Sequence, residues 1–258
     1  MRLLNDLLST LPTGNVLQVC IGLHWTAVVV DVGGEVRCGL ASTLRKSDKH
    51  HGEPDAPHAG QLATMPGMHL ASLVQSKRPT LRSVGMATLN ALLPHRPETW
   101  VEMNAEEVIA SEGAGKRVVL VGHFHFIPRL RDRVGDLFVL ENNPRPGDLP
   151  ASTAQEVVPS ADVVAITGMT LLNHTLDKLL HLCDPSATVI LLGPSTPLGP
   201  VLFEYGVDWL CGAYVEDIDA VVQAVGQGGN FRQIHRVGTR LVNMNRSITD
   251  HKDASQWE

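Results

Sequence analysis

Two short stretches of the chain decide its fold: T-G-M-T-L-L-N at residues 167–173 and G-P-S-T-P at residues 193–197. Each follows a short apolar run and precedes a helix-like pattern, which predicts a turn from a strand into a helix. Such turns lie at the carboxyl edge of a parallel sheet, where open α/β folds bind their ligands. The sequence therefore indicates where a ligand binds, but not which ligand it is.

The composition is that of a globular α/β protein. The chain has 258 residues, enough for two modest domains or one large one, and 43% of them are hydrophobic, which suits a sizeable core. Its net charge is -6 and no basic block occurs, which argues against a nucleic-acid or anionic-membrane surface. No apolar run approaches the ~18 residues that span a bilayer, and the amino terminus does not resemble a signal peptide. With four scattered cysteines, we predict a cytoplasmic protein with reduced thiols and no membrane insertion.

The first part of the chain has a mixed pattern. Residues 3–11 predict a short helix, and residues 16–22, 25–32 and 35–41 predict three strands. Gly33-Gly34 between the last two strands is a strong hairpin signal. A histidine- and proline-rich loop follows from Arg45 to His69. Helices are predicted at 69–76, 81–93 and 105–111, the last with Asn104 as its N-cap.

From Lys116 onward, strands and helices alternate. Apolar runs at 118–121, 137–140, 163–166, 189–192 and 208–210 predict strands, and segments at 128–134, 169–183, 198–205 and 217–225 predict helices. Because the strands are continuously apolar, we expect a parallel sheet covered on both faces. In the long helix at 169–183, the spacing of Leu172, Leu176, Leu179 and Cys183 indicates one face against the sheet.

The two turns carry the first candidate binding residues. Gly168 allows a tight turn, and a helix that begins near Met169 would place Thr170, Asn173 and Asp177 on one face. Unused N–H groups there would suit an anion. The alternative is ordinary helix capping by the threonines. The second turn, with Gly193, Ser195 and Thr196, has the same two interpretations, and two turns on successive crossovers would face one crevice.

A second group of candidates follows the first two strands of the α/β half. His123 and His125 are two residues apart, so on an extended segment both would point the same way as metal ligands or hydrogen-bond donors. The alternative is a packing role for this pair. Glu141 ends the next strand, where dinucleotide folds hold a ribose, but Gly122 has no glycine two or five residues later, which argues against NAD.

The remaining motifs give weaker evidence for a functional site. His50, His51, His58 and His69 match no zinc spacing, and we interpret their segment as a solvated loop, with a divalent metal site as the alternative. No nucleophile elbow, H-E-x-x-H helix or phosphate loop is present.

Taken together, these motifs resemble those of the DUF364 family. This family is described as a heavy-metal chelation domain, and its members commonly carry a preceding DUF4213 domain. The resemblance rests on Val121 to Phe124, Thr167 to Thr175, Leu192 to Pro197, Leu202 to Asp208, Trp25 to Val28 and Gly85 to Ala91. It departs at His125, where the family usually has proline, so we assign no role to that residue.

The resemblance implies an α+β domain like the enolase amino-terminal domain over residues 1–113, a Rossmann-like α/β domain with a mostly parallel sheet over 114–246, and a polar tail over 247–258. It also implies a ligand site in an interdomain cleft and an association with metal-uptake systems. Carried onto this chain, the ligand-binding candidates are His123, Glu141, Thr167, Gly168, Thr170, Asn173, Gly193, Ser195, Thr196, Trp25, Thr26 and Asn90. Of these, His123 and Glu141 are the candidate metal ligands.

The sequence therefore predicts a protein that binds a small anionic ligand or a metal chelate. The alternatives are an enzyme that makes or modifies a chelator, a pterin-like or a nucleotide-like molecule, and a structural role in which both turns only cap helices. The metal, the chemical identity of the ligand and any homo-oligomer are left open by the residues.

Overall fold

A computed structural model describes residues 2–45 and 53–249 of the chain. The helices are α1 (Arg2–Ser9), α2 (Gly67–Ser72), α3 (Pro79–Leu92), α4 (Ala105–Glu112), α5 (Ile127–Leu130), α6 (Ala154–Val157), α7 (Met169–Leu172), α8 (Leu176–Leu180), α9 (Ile218–Gly226) and α10 (Phe231–Gly238). The strands are β1 (Asn15–Ile21), β2 (Trp25–Val32), β3 (Glu35–Ser42), β4 (Trp100–Val101), β5 (Arg117–Val121), β6 (Asp136–Glu141), β7 (Leu149–Pro150), β8 (Val163–Thr167), β9 (Thr188–Leu192), β10 (Trp209–Val215) and β11 (Thr239–Asn245).

The strands form two sheets of different kinds. A small antiparallel sheet has the order β1-β2-β3, and a large sheet has the order β4-β11-β10-β9-β8-β5-β6-β7. The pairs β10–β9, β9–β8, β8–β5, β5–β6 and β6–β7 are parallel, whereas β11 pairs with β4 in the antiparallel sense. The predicted mixed α/β class with a mostly parallel sheet is therefore confirmed. The likeness of the first domain to enolase stays a prediction.

The chain divides into two compact units that are each discontinuous in sequence. The first contains Met1–His95, Pro194–Gly199 and Gly212–Leu241, and the second contains Arg96–Gly193, Pro200–Cys211 and Val242–Glu258. The predicted division into residues 1–113, 114–246 and 247–258 stays a prediction. Of the predicted tail, residues 247–249 are helical and the rest lies outside the described part of the chain.

In the first unit, helices cover both faces of the small sheet. On one face, Ala27, Val29 and Leu40 pack with Val225 and Ile234 from α9 and α10 in one buried cluster. On the other face, α3 lies against β2 and β3. The hairpin predicted between β2 and β3 is confirmed: Gly33 and Gly34 have φ values of 63° and 93°, as a tight turn with two left-handed residues requires.

Gly39 on β3 lets α3 approach the small sheet at backbone distance. A Cβ atom at this position would lie 2.1 Å from the carbonyl oxygen of Ala87 and 2.3 Å from the nitrogen of Ala91. Because backbone atoms cannot swing aside as a flexible side chain can, any larger residue would force the helix away from the sheet.

The core of the second unit follows the apolar runs of the sequence. Val118, Leu120, Val163, Ala165 and Ile190 are fully buried in one cluster with α4 and α5. The predicted cap of α4 is confirmed, because the Asn104 side chain accepts from the N–H of Glu106 at 3.1 Å. The continuous apolar pattern therefore marks strands that are covered on both faces.

The predicted long helix at 169–183 is wrong. The structure has α7 and α8 instead, separated at Asn173–Thr175, where His174 has a φ of 56° and Thr175 N–H bonds to the carbonyl of Thr170 at 2.8 Å. A left-handed residue ends an α-helix, so Asp177 does not continue the helical face of Thr170. The apolar spacing does not reveal this break, because Leu172 before it and Leu176 after it are both buried, as they would be in one continuous helix.

Other elements differ from the prediction at the edges. The expected helix at 128–134 is only the short α5, and the one at 198–205 is a 3-10 helix at Pro200–Tyr205. β4, β7, α6, α10 and β11 are not predicted from the sequence, although α10 has a clear apolar face and a capping box at Asn230 and Gln233. His50 and His51 of the histidine-rich loop lie outside the described residues, and His58 and His69 are exposed.

In the described part of the chain, no helix combines the length and apolar character needed to cross a bilayer.

The backbone contact at Gly39 predicts a large loss of stability for Gly39→Ala. We expect the free energy of unfolding to fall by about 3 kcal/mol, because the added methyl group meets rigid backbone atoms. Gly226→Ala in α9 is the matched control: its Cβ would lie 3.5 Å from Cys20 Sγ, an ordinary contact. Urea unfolding checks both variants, and equal stabilities would contradict the packing argument.

His95 gives the first unit a pH-dependent stability. Burial lowers the pKa of His95 to about 4, the Arg37 charge acts in the same direction, and Glu35 opposes it. The ring also meets Tyr214 edge-on, with 4.9 Å between the ring centroids. A depressed histidine pKa means that the folded protein resists protonation, so its stability is complete above the ordinary pKa of about 6.5.

We therefore expect the wild type to lose stability as the pH falls from about 6.5 toward 4, and His95→Gln to lose less over the same interval, because glutamine does not titrate. Urea midpoints measured along this pH series check the expectation. Parallel curves for the two proteins would show that His95 does not contribute.

Candidate functional site

The ends of four parallel strands lie at one edge of the large sheet in the second unit. Gly122 follows β5, Glu141 ends β6, Gly168 follows β8 and Gly193 follows β9. The three glycines donate their N–H groups to the carbonyls of Leu140, Leu192 and Cys211, at 2.9, 2.8 and 2.9 Å in that order. The ladder thus extends one residue beyond each of these strands before the chain turns away.

Gly122 decides the direction in which the chain leaves β5. Its φ is 110°, in the region that favours glycine, and an added Cβ would lie 3.1 Å from Cβ of Thr167. The turn brings the next residue, His123, toward the end of β6.

The Glu141 carboxylate fixes the backbone of this turn. Its Oε1 accepts from the N–H of His123 at 2.9 Å, and its Oε2 accepts from the N–H of Asn142 at 2.9 Å. Since both oxygens are engaged by backbone donors, Glu141 joins the ends of β5 and β6. Its predicted role as a metal ligand stays a prediction.

The His123 ring is oriented by Asp148, a residue that the sequence analysis does not single out. Its Nδ1 lies 2.8 Å from Oδ2 of Asp148, whose side chain is 2% exposed and also accepts from the N–H of Arg145 at 3.0 Å. Because a carboxylate only accepts, we assign the ring proton to Nδ1. Within the described residues, no hydrogen bond is formed by Nε2.

Asp148 stays a carboxylate despite its burial. Burial raises the pKa of Asp148. The hydrogen bonds from the Arg145 N–H and the His123 ring lower this pKa by more than burial raises it, so the net shift is downward. Asp148 lies 25 residues beyond His123, after a proline- and glycine-rich stretch. No motif links the two, so only the fold brings them together.

The expected pairing of His123 with His125 is wrong. The chain does not continue as a strand after Gly122, and His125 lies in an exposed turn. Its ring packs edge-on against Phe126, with the centroids 5.7 Å apart. In residues 2–45 and 53–249, no group of three or more histidine, cysteine, aspartate or glutamate side chains is placed to hold a metal ion.

Several amides of the turn at 167–173 are engaged within the structure. Internal acceptors take the N–H groups of Met169, Leu171 and Asn173, and the hydroxyl of Thr170 donates to the carbonyl of Thr167 at 2.7 Å. No side chain caps α7, a helix of four residues whose N-cap is Gly168, so these bonds hold the turn without the threonine capping named as the alternative. The Asn173 side chain is nevertheless exposed, and ligand contacts by these residues stay a prediction.

The first unit brings two of the other candidates, Asn90 and Ser195, into contact. The Ser195 hydroxyl accepts from the N–H of Ser42 at 2.9 Å, and the Asn90 amide donates to the carbonyls of Leu40 at 2.8 Å and Ser195 at 3.4 Å. Two acceptors on the amide nitrogen fix its orientation, so Oδ1 of Asn90 points elsewhere. In the described part of the chain this buried oxygen has no partner, and neither has the buried hydroxyl of Thr196.

Trp25 and Thr26 have structural contacts in the first unit. The Thr26 hydroxyl is fully buried and lies 2.9 Å from the hydroxyl of Thr43. The Trp25 ring packs on Phe231, with centroids 5.4 Å apart. Neither contact tests a role in ligand binding, which stays a prediction for both residues.

We expect substitutions of the neighbouring residues Ser195 and Thr196 to have opposite effects on the free energy of unfolding. Thr196→Val should raise the free energy of unfolding by about 1–2 kcal/mol, because it removes a buried hydroxyl that has no partner. Ser195→Ala should lower it by about 1–3 kcal/mol, because the Ser42 N–H loses its acceptor. Urea unfolding of the ligand-free protein measures both, and effects of the same sign would contradict these contacts.

Comparisons with known proteins agree with this architecture. The chain is 24% identical over 211 residues to "Uncharacterized protein MJ0500" of Methanocaldococcus jannaschii, covering 79% of this chain and 80% of that protein. A DUF364-family crystal structure from Desulfitobacterium hafniense, of unknown function, is 25% identical with a TM-score of 0.79, covering 95% of this chain and 98% of that one. A Pyrococcus horikoshii DUF364 structure, at 18% identity, shares the fold with a TM-score of 0.77 and covers 95% and 98%.

Two family models match the chain directly. The DUF4213 model, described as "Putative heavy-metal chelation", matches residues 4–93, and the DUF364 model, with the same description, matches residues 104–244. The second match alone spans more than half of the sequence. The chain therefore belongs to the DUF364 family, with a DUF4213 region preceding the DUF364 region.

Proposed function

We propose that this protein binds a metal chelate, and that Nε2 of His123 occupies an open coordination position on the chelated metal. The observation that carries the proposal is the 2.8 Å contact between His123 Nδ1 and the buried carboxylate of Asp148. Histidines that ligate metals almost always donate their other ring N–H to a carboxylate, a carbonyl or water, which fixes the tautomer and the direction of the free nitrogen.

The number of protein side chains available as metal ligands supports a chelated metal rather than a bare ion. A bare divalent transition metal takes four or more donors, and no group of three or more ligating side chains is found in residues 2–45 and 53–249. A chelated metal brings most of its donors with it and needs one more. An imidazole nitrogen such as Nε2 of His123 is a suitable donor for copper, nickel, iron and zinc.

A simple anion has less support than a chelate. The argument for an anion rests on free amides in the turn at 167–173, and internal acceptors take most of those that the structure describes. We keep the exposed Asn173 side chain as a proposed contact in the second unit. In the first unit, the unpartnered oxygens of Asn90 and Thr196 support a proposed role for these two residues.

Nickel(II) nitrilotriacetate, which has open coordination positions, is the probe for this proposal, and nickel(II) EDTA, which is saturated, is its matched control. We expect the first complex to raise the melting temperature by mass action and the second to have little effect. His123→Ala should abolish the shift. Asp148→Asn should weaken binding by about 10–100-fold, because the ring loses its orienting carboxylate.

His125→Ala is the control for adventitious histidine binding, because this exposed imidazole lies two residues from His123. Isothermal titration calorimetry should give the same affinity for this variant as for the wild type. Equal binding by the wild type and His123→Ala, or a loss in His125→Ala instead, would reject the proposed ligand.

The same pair of residues supports a second candidate function. An imidazole that is oriented by a carboxylate is also an effective general base, so an enzyme that modifies a chelator is the competing proposal. Mass spectrometry of the chelator after incubation with the protein separates the two. Turnover that depends on His123 would establish the enzyme, and unchanged chelator with a thermal shift would support binding. A link to metal uptake, associated with the family, is part of this proposal only as the source of the cargo.

A further inference from the structure

An arginine lies on the loop that carries Asp148, and its neighbours in sequence stiffen its backbone. The loop at residues 142–148 joins β6 to β7 and reads N-N-P-R-P-G-D, so Arg145 stands between Pro144 and Pro146. Each proline fixes its own φ and restricts the residue before it to extended conformations. The backbone of Arg145 therefore has little freedom.

Hydrogen bonds close this loop on Asp148. The Arg145 N–H donates to Oδ2 of Asp148 at 3.0 Å, and the Asp148 N–H donates to the carbonyl of Arg145 at 2.9 Å. Gly147, with a φ of 90°, allows the turn between them, and its carbonyl accepts from the Arg131 guanidinium at 3.5 Å. The backbone of Arg145 is thus tied to the carboxylate that orients His123.

Arg145 and His123 contact the same oxygen. Oδ2 of Asp148 lies 3.0 Å from the Arg145 nitrogen and 2.8 Å from His123 Nδ1, so these two nitrogens are at most 5.8 Å apart, the sum of both distances. An extended arginine side chain is longer than this separation. Its guanidinium can therefore reach a molecule that is bound at Nε2 of His123.

The guanidinium of Arg145 is exposed and forms no ion pair or hydrogen bond within residues 2–45 and 53–249. Arg133 of the same unit, by contrast, pairs with Glu107. Burial raises the pKa of Asp148, hydrogen bonds lower it, and the positive charge of Arg145 lowers it further. This effect indicates that the charge lies near the carboxylate while remaining available to another anion.

We propose that the bound chelate is anionic, and that the Arg145 guanidinium donates hydrogen bonds to its metal-bound carboxylates while Nε2 of His123 binds the metal. This inference rests on the proposed function and names the class of its ligand. A carboxylate that coordinates a metal through one oxygen keeps the other as an acceptor, and the planar fork of a guanidinium fits such oxygens. Arg145 is then the residue that selects aminocarboxylate chelates over complexes of neutral amines.

The same charge disfavours cationic cargo. A bare divalent ion, or its complex with neutral amines, is positively charged and is repelled by the guanidinium. The chain as a whole has a net charge of -6, so the attraction for an anionic chelate is a local property of this loop. Because the loop backbone is already ordered, binding has to order only the side chain of Arg145.

Two nickel(II) complexes of matched shape test this selectivity. The nitrilotriacetate complex is negatively charged. The tris(2-aminoethyl)amine complex is positively charged and leaves the same number of coordination positions open. Isothermal titration calorimetry at low ionic strength should show that the wild type prefers the nitrilotriacetate complex. Arg145→Gln should weaken binding of this complex by about 10-fold and should not weaken binding of the amine complex.

Arg133→Gln is the matched control, because it removes the same charge from another exposed arginine of the same unit. It should bind both complexes as the wild type does. Arg145→Gln keeps the backbone N–H that Asp148 accepts, so its urea midpoint should equal that of the wild type. Added salt should weaken binding of the nitrilotriacetate complex more in the wild type than in Arg145→Gln.

The outcomes separate this inference from the proposed function. If Arg145→Gln binds the nitrilotriacetate complex as tightly as the wild type, and both depend on His123, the selectivity is wrong and the proposed function stands. Equal losses for both nickel complexes in Arg145→Gln would also overturn the inference, because they indicate a structural role for the loop. If neither complex binds through His123, the proposed function fails and the inference fails with it.

Discussion

Parallel pairing of the buried strands in the second unit is the constraint on which its chemistry depends. β6, β5, β8 and β9 are neighbours in this sheet and run in one direction, so their carboxyl ends reach the same edge. The glycine amides that follow three of these strands continue the ladder by one residue. Polar side chains from distant parts of the sequence therefore meet at this edge without any local motif that joins them.

At that edge, one carboxylate holds the backbone and another holds the ring. Glu141 accepts from the N–H of His123, and Asp148 accepts from its imidazole, so both the position and the direction of the side chain are fixed by hydrogen bonds. In the proposed function, a histidine held in this way needs little reorganisation when it meets a metal. Both acidic residues contact His123 by hydrogen bonds.

The turn at 167–173 illustrates how one pattern fits two structures. A glycine and a threonine between a strand and a helix are equally compatible with an anion site and with self-capping. In the structure, the Thr170 hydroxyl and several amides bond within the turn, and no side chain caps α7. In the first unit, by contrast, Asn90 and Thr196 each have a buried oxygen that lacks a hydrogen-bond partner in the described part of the chain.

The sequence by itself determined the elements whose signal is local. Continuous apolar runs predicted the strands β5, β6, β8, β9 and β10 of the large sheet, Gly33-Gly34 predicted the hairpin, and Asn104 predicted a helix cap. Hydrophobic periodicity and turn chemistry act over a few residues, so they can be recognised without the fold. The predicted site residues at strand ends follow from the same local logic, and their function stays a prediction.

Only the tertiary structure decided the partners of those residues. The left-handed His174 divides a segment with helical apolar spacing, the chain turns after Gly122 instead of continuing as a strand, and Asp148 reaches His123 across 25 residues. These outcomes depend on which backbone donors and carboxylates are brought within hydrogen-bond distance by packing. Because such distances are set by the arrangement of whole strands, no spacing in the sequence encodes them.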